Sequence, residues 1–155
     1  MSSIVVFAAP GTGIRRRCAG SGYRRGRDAM SPNQIVNAPE LGTPSGFSHA
    51  VVATGKTVHL AGQIGAGTTI VEQFDSAAAN MLVALRAAGG DAGDLVSVQV
   101  FVTDVAAYKE SLPALGRAWR KHFGRHYPAM GLFGVTALFE PEAQVELMGV
   151  AVLPV

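Results

Sequence analysis

Beyond residue 33 the spacing of apolar and polar positions changes period several times, and each change marks an element. Positions 47–53 and 57–61 are rich in β-forming residues and flank Thr54-Gly55-Lys56. That pattern predicts two strands joined by a hairpin turn. Residues 62–68 form a glycine-rich loop. Thr69-Ile70-Val71-Glu72 then has capping-box spacing, in which a hydroxyl and a carboxylate satisfy the free amides at a helix start. Phe74, Ala77, Ala78, Met81, Leu82, Leu85 and Ala88 come next at helical intervals and make one apolar stripe. Gly89-Gly90 stops that helix, because glycine enters the left-handed conformation without a Cβ clash.

Residues 95–103 alternate as a strand, with Val96, Val98, Val100 and Val102 on one face and Ser97, Gln99, Phe101 and Thr103 on the other. Asp104 can cap a helix that starts directly after this strand. Tyr108, Leu112, Leu115, Trp119 and Phe123 mark a second amphipathic helix. Pro113 lacks a backbone donor, so the regular helix is expected to begin near Ser111 with Pro113 in its first turn. Gly124 ends it. Residues 130–138 and 144–153 are two more strands, joined by a turn containing Glu140-Pro141-Glu142. The order β-β-α-β-α-β-β describes an α+β domain whose two helices cover one sheet face. The other face, with Phe101, Leu132 and Met148 as its candidates, would be exposed in a monomer, so a partner subunit is expected to cover it.

Composition sets limits on this picture. Of 155 residues 48% are apolar and 15% charged, which suits one domain with a real core and excludes disorder throughout. No apolar run is long enough to span a bilayer. Cys18 is the single cysteine, so no disulfide can close within the chain, and a cytoplasmic setting is expected. Charge is unevenly distributed. Six arginines against Asp28 give the segment before Met30 a net +5, whereas seven Lys/Arg against ten Asp/Glu leave the remainder at −3. Residues 1–30 show no sustained period and are expected to be a disordered basic extension, with residues 33–155 forming the domain. Met30 is the expected initiator, and a transit peptide is the alternative. A mildly acidic domain without an aromatic platform argues against nucleic acid as a partner.

Few local motifs carry chemistry. Gly11-Thr12-Gly13 lacks phosphate-loop spacing, and no cofactor is expected. His122 and His126 are four apart but separated by Gly124, with no third ligand nearby, so no metal site is expected. His49 and His59 read as hydrogen-bonded strand histidines. Ser48 lacks a Gly-x-Ser-x-Gly context, which leaves a nucleophilic triad unsupported. Arg117, Arg120, Lys121 and Arg125 read as a solvated helix face that complements the helix dipole. Glu146 stands out, since its carboxylate lies in an apolar strand beside Val145, Leu147 and Met148. It is either a site residue or a structural carboxylate at an edge.

Three segments resemble the Rid family, also called YjgF-like or endoribonuclease L-PSP proteins. They are Phe47-Ser48-His49-Ala50-Val51 with Leu60-Ala61-Gly62-Gln63-Ile64; Asp94 through Asp104; and Tyr127-Pro128-Ala129 with Gln144-Val145-Glu146-Leu147. The resemblance covers residues 33–155. It implies a chorismate-mutase-like fold with two helices on one face of a mixed sheet, a homotrimer, and ligand clefts between subunits. The best-studied members hydrolyse enamines and imines such as 2-aminoacrylate to 2-keto acids and ammonia. Their arginine directly after Pro-Ala clamps the substrate carboxylate through two hydrogen bonds. In this chain that position is Met130, which supplies neither charge nor a bidentate donor. Phe47 replaces a family tyrosine and Leu132 a cysteine. Gly62 matches the glycine that approaches the ligand, and Glu146 matches the glutamate thought to position the attacking water. The resemblance is therefore to subgroups lacking the arginine, for which deaminase activity is not expected. Phe47, Gly62, Met130 and Leu132 are the candidate ligand-binding residues, and Glu146 is the candidate catalytic group. Two functions remain open: a small-molecule-binding module, or a hydrolase of enamine or imine intermediates acting through Glu146 and water.

Overall fold

A computed structural model describes residues 33–155; the basic extension expected over residues 1–30 lies outside the described residues. Six strands and three α-helices succeed one another as β1 (Gln34–Val36), β2 (Ala50–Val52), β3 (Lys56–Gln63), α1 (Ile70–Ala87), β4 (Leu95–Val102), α2 (Val105–Glu110), α3 (Leu112–Phe123), β5 (Ala129–Gly134) and β6 (Val145–Leu153). The mixed α+β class holds. Four strands form the main sheet in the order β3-β6-β4-β5, antiparallel except for the β4–β5 pair.

The helix boundaries have local causes. Thr69 and Glu72 close the capping box at the start of α1: the Glu72 amide donates to Thr69 Oγ1 at 3.3 Å, and Glu72 Oε2 accepts from the Thr69 amide at 3.0 Å. The same carboxylate accepts from the Thr68 amide at 2.9 Å. These amides of Thr68 and Thr69 hold the Glu72 carboxyl down to about 2, from an ordinary 4.5. Asp104 Oδ1 accepts from the Ala107 amide at 2.9 Å and starts α2. The second helical segment is thus two helices, broken at Ser111, with Pro113 in the first turn of α3.

One sheet face carries the core. Val98, Val100 and Val102 of β4 and Val145, Leu147 and Ala151 of β6 are wholly buried against Phe74, Met81 and Leu85 of α1 and Leu115 and Trp119 of α3. A register irregularity between Leu95 and Ser97 alters the expected alternation at the start of β4. It places Leu95, not Val96, in the core.

Two strand expectations are corrected. Residues 47–53 and 57–61 do not form a hairpin: β2 pairs antiparallel with β1, a strand without a strong sequence signal. Ser48 explains the difference. Its amide donates to Pro128 O at 2.9 Å and its hydroxyl to Tyr127 O at 2.5 Å, so the approach to β2 is fixed beside β5. β3 lies at the opposite edge of the sheet. Leu132 is likewise not on the open face. It pairs with Val100, on the core side, and packs against the core.

Candidate functional site

The open face is built from the alternate positions of the same strands. Phe101 pairs with Glu146 on one side and with Phe133 on the other. The Phe101 and Phe133 rings stack at 5.5 Å between centroids and 26° between planes. Gly131 makes room for this pair, since a Cβ there would meet the Phe133 ring at 2.8 Å. Phe133 and Met148 remain 46% and 39% exposed, so their burial under a partner surface or a ligand would be favourable. A shallow pocket of about 140 Å³ continues along this face, lined by His59, Ser97, Gln99, Met148 and Val150 among others.

Gly62 and Glu146 come together although 84 positions apart in sequence. A bulge between Leu60 and Gln63 shifts β3 against β6 at this point. The Glu146 carboxylate then lies over the Gly62 backbone, in the space a Cβ would occupy. This close approach requires glycine at position 62. Glu146 is half-buried, and among the described residues no hydrogen-bond donor or cation pairs with its carboxylate.

The glycine-rich loop after Gly62 is anchored to α1. Asn80 Nδ2 donates to Ile64 O at 2.9 Å, and Ser76 Oγ accepts from the Ala66 amide at 3.0 Å. Gln73, 4% exposed, completes the anchorage. Its Nε2 donates to Gly67 O at 3.2 Å and Glu142 O at 2.9 Å, while Oε1 accepts from the Gln144 amide at 2.7 Å. One buried amide therefore joins the loop after Gly62 to the turn before Glu146. Sequence reasoning missed both Gln73 and Phe133. Gln73 is polar on the inner stripe of α1, and Phe133 stands two residues after a glycine, at the strand interval.

Phe47, Met130 and Leu132 lie elsewhere. Ser48 bridges Ala129 at the start of β5, and the side chains of Phe47, Met130 and Leu132 all pack against the core. Met130 pairs with Val98, three residues before the Phe101 row that carries Glu146, and on the opposite sheet face. Two strand spacings across and three residues along separate Met130 from Glu146 by roughly 14 Å. Arg125 is exposed in the turn between α3 and β5, as expected of a solvated cation.

Of the remaining histidine candidates His49, His122 and His126 have structural partners, whereas His59, expected to be hydrogen-bonded, is exposed and lines the shallow pocket. His122 and Lys121 contact Asp75 at 2.8 and 2.7 Å, and Lys121 foremost holds the Asp75 carboxyl below its usual value. His126 Nε2 donates to Leu95 O at 2.7 Å, and His49 Nδ1 accepts from the Ala38 amide at 3.1 Å. No helix among the described residues is long and apolar enough to cross a membrane.

The sequence profile of the endoribonuclease L-PSP family matches residues 37–153. The chain belongs to this family, the Rid or YjgF group. It is 29% identical over 132 residues to a 2-iminobutanoate/2-iminopropanoate deaminase of Dermatophagoides farinae, covering 80% of this chain and 99% of the mite protein. A Rid protein from Yersinia pestis superposes with a TM-score of 0.66 at 30% identity, over 78% of this chain and 98% of that one. A YjgF-family protein from Mycobacterium tuberculosis gives 0.57 at 30% identity, over 78% and 99%. The Rid fold is thus common to this chain and both bacterial proteins.

Proposed function

We propose that this chain is a Rid-family small-molecule-binding protein that uses clefts between the copies of a homotrimer and does not deaminate 2-imino acids. The observation that carries the reading is Met130 at the position of the family arginine, on the other sheet face from Glu146. A cleft between copies could unite the two groups, because a second subunit can present its β5 end to the Gly62–Glu146 corner. The exposed Phe133 and Met148 support that association. Within such a cleft Met130 offers apolar surface where deamination of an imino acid needs a carboxylate clamp.

The test is turnover of 2-aminoacrylate coupled to keto-acid formation, with the mite deaminase as positive control. One lost charge-assisted contact of about 3 kcal/mol corresponds to more than a hundredfold in rate, and activity is expected below that line. Turnover within tenfold of the control overturns the reading, as does a stable monomer at micromolar concentration in light scattering. A second reading, a hydrolase acting through Glu146 and water on substrates without a carboxylate, is favoured by the unpaired Glu146 carboxylate. Met130→Arg separates the two. Gain of imine deaminase activity in that variant means the water-positioning machinery is intact; continued inactivity leaves the binding module.

A further inference from the structure

The strands β3 and β6 separate at the candidate site. Their last register pair is Gln63 with Leu147, yet β6 already begins at Val145. Val145 and Glu146 therefore pair with Val102 and Phe101 of β4 but have no register partner in β3. The chain that leaves β3 turns onto α1 instead. Ile64 O accepts from Asn80 Nδ2, the Ala66 amide donates to Ser76 Oγ, and Gly65 lies so close to the α1 backbone that a Cβ would collide with it. The ladder thus splits, and Glu146 stands at the split.

Two glutamines bridge it. Gln73 Nε2 donates to Gly67 O on the β3 side and to Glu142 O on the β6 side, and its Oε1 accepts from the Gln144 amide. Gln144 Nε2 donates in turn to Thr68 O at 3.0 Å. The groups around Gln73 are two acceptors and one donor, and a primary amide matches them with two N–H donors and an oxygen on one plane. Gln73 lies among the buried residues of α1, on the core side of the sheet. A partner subunit seated on the open face therefore leaves this bridge intact.

We propose that Gln73 is a positioning residue of the candidate site: its amide sets the width of the split between β3 and β6 and so holds the Glu146 carboxylate over Gly62. Pairing with Phe101 fixes the Glu146 backbone relative to β4 alone. On the other side, its distance from Gly62 depends on the span from Gly67 to Glu142 and Gln144, which Gln73 closes. Glu142 and Gln144 lie four and two residues before Glu146, so a shift of this turn reaches its side chain. The proposal rests on the reading of Glu146 as a site group and adds the residue that places it.

The test reads the Glu146 carboxylate 13C signal in the full chain labelled at glutamate, assigned from Glu146→Gln, at pH 7 and one protein concentration. Gln73→Leu removes all three bonds of the Gln73 amide. Gln73→Glu keeps the length and an oxygen for the Gln144 amide but sets a carboxylate oxygen against Gly67 O and Glu142 O; it serves if the leucine variant does not fold. Leu85→Ala is the stability control, because it opens a cavity near the other end of α1, beside Gly90. Both Gln73 variants are expected to shift or split the Glu146 signal. Leu85→Ala should lower Tm by roughly 5 °C or more and leave that signal at its wild-type position. An unmoved Glu146 signal in the Gln73 variants overturns the proposal. So does an equal displacement in Leu85→Ala, which would make the effect one of general loosening. No ligand is present in this experiment, so deaminase turnover or a stable monomer, the results that overturn the proposed function, leaves its outcome unaffected.

Discussion

A methyl group placed on Gly62 or on Gly65 meets two different kinds of neighbour, and the contrast separates site geometry from stability. At Gly65 the new Cβ would press on the Gln73 carbonyl and the Ala77 amide, backbone of α1, and reach Ser76 Cβ at 2.6 Å. Helix backbone cannot step aside, so the loop must lift and lose the Asn80–Ile64 and Ser76–Ala66 hydrogen bonds. Overpacking of this kind costs about 1–3 kcal/mol. At Gly62 the obstacle is the end of the Glu146 side chain, which can rotate. An off-rotamer shift costs about 0.5–1.5 kcal/mol at most, and relaxation to another well costs less. Gly65→Ala should therefore lower Tm by about 3–15 °C for a domain of this size, and Gly62→Ala by a few degrees or less. Both are measured by calorimetry at one fixed protein concentration, so that subunit association is held constant. Gly62→Ala should nonetheless move the Glu146 carboxylate, read from its 13C shift. A Gly62→Ala protein that melts far below wild type, or one in which the Glu146 signal stays in place, would refute the geometry.

Two further predictions concern the supports of the site. Glu72 has a folded pKa near 2 against an ordinary 4.5, so its contribution is complete above about pH 4.5 and is lost as pH falls toward 2. Urea unfolding at pH 7 and pH 3 should show that Glu72→Gln destabilises the protein more at pH 7, and an equal deficit at both values would exclude the capping role. Gln73→Leu should cost about 2–4 kcal/mol, because Gly67 O, Glu142 O and the Gln144 amide lose their partner together. Amide exchange should then quicken first in the 64–68 loop and at Gln144, while uniform change across the domain would contradict the anchoring role.

The elements that were legible in the sequence are those whose causes lie within a turn or two of chain. Thr69 and Glu72 form their box from residues three apart, Asp104 caps its own helix, and Pro113 marks the first turn of α3. The inner stripe of α1 is also local, because one helical period sets which residues share a face. The resemblance named the family, and with it Gly62 and Glu146 as separate candidates, one for ligand binding and one for catalysis. Tertiary structure decided what depends on a partner strand. In β5, Met130 and Leu132 alternate with Gly131 and Phe133, so both faces hold an apolar residue and hydrophobicity cannot choose between them; parallel pairing with β4 puts Leu132 in the core and Phe133 outside. The hairpin expected at Thr54-Gly55-Lys56 gave way to hydrogen bonds from Ser48 to a segment 79 residues away. The bulge that lays Glu146 over Gly62 has no one-strand signature, since it exists only in the mismatch between β3 and β6. A strand specifies an alternation, but its neighbour determines which side faces the core.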